Sequence, residues 1–74
     1  MQPTTIKLTP QESRVVRLLV EGLTQKEMAL ELQCTRETIT WHMSNLRRKI
    51  NVVSTYQVVA VAIEQGWAHA PKIN

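Results

Sequence analysis

Residues 24–50, TQKEMALELQCTRETITWHMSNLRRKI, decide the fold. Thr24 is a good N-cap with Glu27 three residues later, the pattern of a capping box, and it predicts a helix over about 25–32. Gln33 and Cys34 interrupt the pattern, and Thr35 caps a second helix that ends near Ile50. Two helices joined by a three-residue turn, with the second helix basic, are typical of a helix-turn-helix unit.

The helix predicted after Thr35 has two distinct faces. At about 100° per residue, one narrow arc holds apolar side chains that are expected to face a core: Ile39, Met43, Leu46 and Ile50. The opposite side holds Glu37, Trp41, Ser44 and Arg48, flanked by Thr40, Arg47, Arg36 and Asn45. Hydroxyl, indole, amide and guanidinium groups on one face can bind phosphates or contact base edges in the major groove.

Helices are also predicted on either side of this unit. Thr9, Pro10 and Glu12 form a start signal for a helix over about 10–21 that Gly22 ends, and its buried face is expected to comprise Val15, Val16, Leu18, Leu19 and Leu23. Ser54 caps a fourth helix, over about 55–65, which Gly66 closes. The fold class is therefore all-α, a compact four-helix domain over residues 8–66. Residues 1–7 are expected to be an arm or linker, and 67–74 a frayed tail.

The fourth predicted helix is apolar on every side. A terminal helix in so small a domain buries one face against its own core, so an all-apolar helix needs a second cover. A copy of the same helix, related by a two-fold axis, is the expected cover. The residues assigned to this dimer helix are Val58, Val59, Val61, Ala62 and Ile63. The alternative is a β-branched run that forms a strand.

Composition narrows the class of protein. The net charge is +3, and residues 36–50 alone, with Arg36, Arg47, Arg48 and Lys49 against Glu37, carry this excess. A basic face on one helix indicates a polyanion partner, although basic residues also suit a solvated helix C-terminus. The 74 residues include one cysteine and show no metal-ligand spacing, signal peptide or membrane span. We therefore expect a cytoplasmic protein that has no metal or cofactor, is not an enzyme and has no membrane partner.

The chain resembles the LuxR-type (GerE-type) helix-turn-helix domain of bacterial transcription regulators, over about residues 8–66. The residues that carry the resemblance are Leu8-Thr9-Pro10-Gln11-Glu12, Leu18-Leu19 with Gly22 and Thr24, Lys26-Glu27-Met28-Ala29, Thr38-Ile39 with His42, Leu46, Lys49-Ile50, Val52, Ser54 and Gln57-Val58-Val59. The resemblance implies that the third helix enters the major groove, that the fourth forms a homodimer contact, and that the DNA site is roughly palindromic. It also implies base contacts at positions that are here Thr40, Trp41 and Ser44.

These observations lead to a set of expected DNA contacts. The base-contacting residues are expected to be Thr40, Trp41, Ser44 and Asn45. Phosphates are expected to bind the free N–H groups that open the second helix and the polar groups of the third. The phosphate-contacting residues are Thr24, Gln25, Lys26, Arg36, Thr38, Arg47, Arg48 and Lys49. The alternative for Trp41 is a partly buried packing aromatic, and Cys34 is interpreted as a small buried hydrophobe rather than a redox sensor.

Two functional hypotheses follow. The first is a dimeric bacterial transcription regulator that binds promoter operators in double-stranded DNA in a sequence-specific way, with RNA polymerase or a related regulator as a further partner. The second is an interaction module that antagonises a full-length regulator through mixed dimers. The second is motivated by Thr40 and Ser44, which stand where many family members have basic residues. Trp41 would then be a hot spot in a protein interface.

Overall fold

A computed structural model describes residues 6–69 of the chain. The described part consists of four helices: α1 over Pro10–Val20, α2 over Gln25–Leu32, α3 over Arg36–Lys49 and α4 over Thr55–Glu64. The prediction of an all-α four-helix fold is confirmed, and so is helix rather than strand for residues 55–64. The predicted bounds of α2 agree with those observed, whereas α1, α3 and α4 each end one residue earlier than predicted.

Side-chain caps begin each helix where the sequence predicts. Thr9, Thr24 and Ser54 each accept a hydrogen bond from the backbone N–H three residues on, and the side chain at that position bonds back to the cap's own N–H. These are complete capping boxes, which satisfy otherwise unpaired helix donors. Thr35 caps α3 in the same way, but Thr38 stands where the acid or amide would be, and its hydroxyl bonds the Thr35 hydroxyl at 3.0 Å instead.

One device ends all four helices. A residue with a positive φ lies one or two positions after the last residue of each helix: Gly22, Gln33, Asn51 and Gly66. In each case the next residue's N–H donates to the carbonyl five positions earlier, as in Leu23 to Leu18 at 3.2 Å and Val52 to Arg47 at 2.9 Å. This is the Schellman pattern, which turns the chain sharply and satisfies the last helical carbonyls. At the end of α3 the left-handed residue is Asn51, one of the few residue types with a side chain that adopt this conformation readily.

The core lies where the four helices meet. α2 packs on α3, α1 packs on α4, and α3 contacts both α1 and α4. The buried apolar residues are Val15, Val16, Leu18, Val20, Met28, Ala29, Ile39, Met43, Leu46, Val58, Ala62 and Ala68. The arc predicted for α3 is confirmed at Ile39, Met43 and Leu46, while Leu19, Leu23 and Ile50 are only half-buried against this core. Val20, which was not assigned to the core, is buried.

The ends of the domain differ from the expected arm and tail. The Lys7 carbonyl accepts a hydrogen bond from the Lys49 ammonium at 3.1 Å, so the chain before α1 is tied to the end of α3. Ala68 is buried, and Trp67 packs against the core while its backbone N–H donates to the Ala62 carbonyl. The core therefore extends past the predicted boundary at residue 66. The remaining residues of the predicted arm and tail, 1–5 and 70–74, lie outside the described part of the chain.

Candidate nucleic-acid interface

The outward face of α3 is fixed by its buried face. Because Ile39, Met43 and Leu46 are at most 2% exposed, the side of the helix opposite them points to solvent. Trp41 lies on that opposite side and is 62% exposed, so the packing-aromatic alternative does not describe its position. Thr40 is exposed beside it, whereas Ser44 and Asn45 are half-buried one turn further along. The four residues expected to contact bases therefore lie along one continuous strip of α3.

Two arginines extend this strip toward the end of α3. Arg47 donates through Nη2 to the Ser44 hydroxyl at 3.4 Å, and Arg48 donates through Nη1 to Asn45 Oδ1 at 3.5 Å. Both distances are at the long limit for a hydrogen bond, so these contacts are weak and easily exchanged for others. The guanidinium groups are thus held beside the predicted base-contacting residues while they keep free donors for a phosphate.

The start of α2 is joined to α3 through Gln25 and Thr40. The Thr40 hydroxyl lies 3.1 Å from the Arg36 carbonyl and 3.4 Å from Gln25 Oε1. Gln25, which is expected to contact phosphate, therefore lies beside Thr40, which is expected to contact a base. The tertiary structure places the α2 N-terminus next to the exposed strip of α3, although the two residues are 15 positions apart.

Backbone donors are available at the α2 N-terminus. The Thr24 hydroxyl is engaged by the Glu27 N–H at 3.1 Å, so Thr24 acts as a cap. The N–H groups of Gln25 and Lys26 belong to the first turn, where a helix provides no carbonyl partner. Both residues are exposed. Such donors and the positive end of the helix dipole suit an anion, as the sequence analysis expects.

Lys49 does not lie with the other basic residues of α3. Its ammonium is 2.6 Å from the Glu12 carboxylate on α1 and 3.1 Å from the Lys7 carbonyl. This pairing weighs against the expected phosphate contact of Lys49, because the charge already has a partner within the domain and is directed toward α1. Arg36 and Arg48 are exposed, whereas the Thr38 hydroxyl is bonded to Thr35.

Glu12 has a second role that the sequence does not indicate. Its capping function was expected and is present, since Oε1 accepts from the Thr9 N–H at 2.9 Å. The residue is also 7% exposed and is the buried partner of Lys49. Burial raises the pKa of the Glu12 carboxyl, but hydrogen bonds from Lys49 and Thr9 favour its ionised form and hold the pKa below its usual value. No pattern within α1 indicates the partner, which is 37 positions away.

The residues assigned to the dimer helix divide into two groups. Val58 and Ala62 are completely buried in the domain's own core, so the expectation that they contact a second subunit is wrong. Val59 and Val61 are half-buried, and Ile63 is 42% exposed. Two more strongly exposed residues at the start of this region, Val53 at 87% and Tyr56 at 88%, are not indicated by the sequence pattern used above. The helical spacing of Tyr56 from the core positions Val58 and Ala62 is the signal that could have assigned it to the outer face, whereas Val53 precedes the helix and has no such signal.

No arrangement of the described residues supports metal binding or membrane insertion. Across residues 6–69, no three His, Cys, Asp or Glu side chains group as metal ligands, and no helix is long and apolar enough to cross a bilayer. Cys34 is half-buried and packs against the core. His42 is half-buried, with its ring 5.2 Å from that of Trp41 at an interplanar angle of 64°.

Comparison with known proteins assigns this arrangement to a family. The family model described as "Bacterial regulatory proteins, luxR family" matches residues 6–62. Among individual relatives, the chain is 35% identical over 60 residues to the uncharacterized response regulatory protein YgeK of Escherichia coli K12, a match that covers 81% of this chain and 41% of YgeK. The chain spans less than half the length of that relative and smaller shares of the next two, 7% and 28%.

Solved structures share the fold. The Vibrio cholerae VqmA–ligand–DNA complex superposes with a TM-score of 0.81 at 31% identity, over 88% of this chain and 29% of the VqmA chain. The transcription factor GerE gives a TM-score of 0.78 at 26% identity, over 82% of this chain and 91% of GerE. Most of the GerE chain thus corresponds to the four-helix domain described above.

Proposed function

Because this chain belongs to the LuxR family of bacterial regulatory proteins, we propose that it binds double-stranded DNA in a sequence-specific way, as a dimeric transcription regulator. α3 enters the major groove with its exposed strip toward the base edges. Thr40, Trp41, Ser44 and Asn45 contact bases. The observation that carries the proposal is the joint position of that strip, the two arginines beside it and the α2 N-terminus.

The contacts to phosphate are supported by exposure and charge. Arg36 and Arg48 are exposed cations at opposite ends of α3, and Arg47 is half-buried between the strip and the domain. On the α2 side, the phosphate contacts are assigned to the first-turn backbone N–H groups of Gln25 and Lys26 and to the Lys26 ammonium, with Thr24 holding the turn. Thr38 remains in the proposed set through its place in the first turn of α3. Lys49 is removed from the set, since its charge is paired with Glu12.

The proposed homodimer forms through α4, so that a two-fold axis relates the two DNA-binding domains. Tyr56 and Ile63 are exposed on this helix, with Val59 and Val61 half-buried. An apolar surface of this kind is suited to its own copy across a two-fold axis. Two half-sites about one helical turn apart, roughly 34 Å, would then be bound by two α3 helices.

The proposal is tested by selection from random duplexes, followed by salt titration of the selected site. We expect a palindromic consensus, and an affinity that falls steeply as salt rises, because each phosphate contact releases condensed counterions. Failure to enrich any duplex, or an affinity that does not change with salt, would overturn DNA binding. An enriched site without two-fold symmetry would overturn only the dimer.

A second function has one specific observation in its favour. Trp41 is a large exposed aromatic, and residues of this type dominate protein interfaces. The alternative is therefore an interaction module that forms mixed dimers with a full-length regulator. The Trp41→Ala variant distinguishes the two: loss of DNA retention with intact dimerisation supports the regulator. Loss of binding to a related regulator with unchanged DNA affinity supports the antagonist.

A further inference from the structure

The centre of the exposed strip of α3 lacks the side chains that commonly bind guanine. Arg or Lys donating to guanine O6 and N7 is the commonest specific contact in the major groove. Here the exposed residues Thr40 and Trp41 carry no charge, and the nearest cations along α3 are Arg36 before them and Arg47 and Arg48 after them. Glu37, one turn before Trp41, adds an exposed carboxylate to the same side. Contacts at the centre must therefore rest on other chemistry.

Trp41 supplies that chemistry as apolar surface. Its indole offers a single N–H donor and no acceptor, so most of its exposed area interacts with apolar groups. In the major groove, the C5 methyl of thymine is the apolar group that distinguishes one base from the others. The 62% exposure of Trp41 leaves a ring face available for such a methyl.

The ring is also held in place. Trp41 packs edge-to-face on His42, with ring centroids 5.2 Å apart, and His42 is itself half-buried against the domain. Such aromatic pairs favour one relative orientation. A side chain already ordered before binding loses less conformational freedom when it meets its ligand. The contact with His42 therefore favours one orientation of the indole on the exposed strip.

We infer that Trp41 determines specificity for thymine at one position of each half-site, by packing its indole on the thymine C5 methyl. The inference rests on the proposed function, because it requires α3 in the major groove of duplex DNA. It adds the chemical group that is recognised and the residue that recognises it. A pair of the form 5-methylcytosine·guanine presents the same methyl with different hydrogen-bonding groups, and it should substitute in part for thymine·adenine.

The test uses the full chain and the duplex obtained by selection. Each thymine in turn is replaced by deoxyuridine, which removes the methyl and keeps every hydrogen-bonding group, and dissociation constants are measured by fluorescence anisotropy. We expect one position per half-site where this weakens wild-type binding about fourfold, the effect of removing one buried methyl. At that position cytosine should bind more weakly than 5-methylcytosine.

Variants assign the effect to Trp41. In Trp41→Ala the deoxyuridine penalty should vanish, while Trp41→Phe, which lacks the N–H but keeps an apolar ring, should retain it. Leu30→Ala is the matched control, because Leu30 is also a large exposed apolar residue, at 72%, but lies on α2. This variant should show the wild-type penalty. Trp41 is exposed, so circular dichroism is expected to confirm that both variants fold.

The outcomes separate this inference from the proposed function. A selected duplex that is bound tightly but is indifferent to deoxyuridine at every thymine overturns the thymine contact and leaves DNA binding intact. A penalty of equal size in wild type and Trp41→Ala overturns the assignment to Trp41. If no duplex is enriched, DNA binding itself is overturned and the inference falls with it.

Discussion

The Lys49 ammonium lies 2.6 Å from the Glu12 carboxylate, and this contact joins the last turn of α3 to the first turn of α1. The same carboxylate oxygen accepts the Thr9 N–H that begins α1. One buried side chain therefore caps one helix and anchors another. Since α3 carries the candidate base contacts, the pair also contributes to the orientation of that helix relative to α1.

Replacing Glu12 with Gln should destabilise the fold at neutral pH. The amide can still accept from the Thr9 N–H, but Lys49 loses its counter-charge. We expect the free energy of unfolding to fall by about 1–2 kcal/mol, less than for a fully buried pair, because water reaches the Lys49 side chain, which is 32% exposed. Urea unfolding measures the change. Glu27→Gln, in the exposed capping box of α2, is the control and should change stability by less than about 0.5 kcal/mol.

The effect of Glu12 should depend on pH with a definite sign. Its carboxyl has a pKa below the usual value in the folded protein, so the ionised form contributes stability at neutral pH. That contribution is lost as the pH falls through the folded-state pKa. The stability gap between wild type and Glu12→Gln should therefore be constant from pH 7 to about pH 5 and should close below about pH 4. A gap that persists unchanged at pH 3 would contradict the role assigned to the pair.

Arg48 and Lys49 should respond differently to substitution although they are neighbours with the same charge. Arg48→Ala should reduce the slope of log affinity against log salt by about one phosphate contact, with little effect on stability. Lys49→Ala should leave that slope nearly unchanged and instead lower the free energy of unfolding, because the buried carboxylate of Glu12 loses its partner. Salt titrations on the selected duplex and urea unfolding provide the two measurements. Equal reductions of the slope would show that Lys49 also binds phosphate.

Two substitutions in α4 should separate self-association from folding. Tyr56 is 88% exposed, so Tyr56→Ala should change stability by less than about 0.5 kcal/mol while weakening dimerisation about tenfold, if this residue is central to the interface. Val58 is completely buried, so Val58→Ala should cost about 2 kcal/mol in stability through lost burial and a cavity. Sedimentation equilibrium and thermal unfolding distinguish the two. An unchanged dimer in Tyr56→Ala would place the interface elsewhere.

Gly22→Ala should destabilise the turn between α1 and α2. The φ of Gly22 is +97°, a conformation that is strained for residues with a Cβ, although an added Cβ would meet no heavy atom within 4 Å. The expected cost is therefore backbone strain alone, about 1–2 kcal/mol. Ser13→Ala, at an exposed position within α1, is the control and should be neutral or slightly stabilising. Chemical unfolding measures the free energy of unfolding of both variants. Equal changes in Gly22→Ala and Ser13→Ala would contradict strain in this turn.

The sequence by itself determined the four helices and the residue at which each begins. Thr9, Thr24, Thr35 and Ser54 begin the helices, and each acts on a backbone group three residues away. Such interactions lie within one turn of helix, so a short stretch of sequence contains both partners. The helical period likewise sufficed to identify the buried arc of α3 and, opposite it, the exposed Trp41.

Only the tertiary structure decided which charges and apolar faces remain available. Glu12 meets Lys49 across 37 positions and Gln25 meets Thr40 across 15, so neither pair leaves a local pattern. Residues 58–63 of α4 are all apolar, and the orientation in which this helix packs on α1 selects Val58 and Ala62 as the buried ones. The physical reason is the same in each case: helix formation depends on neighbours within one turn, whereas burial and pairing depend on how separate helices dock.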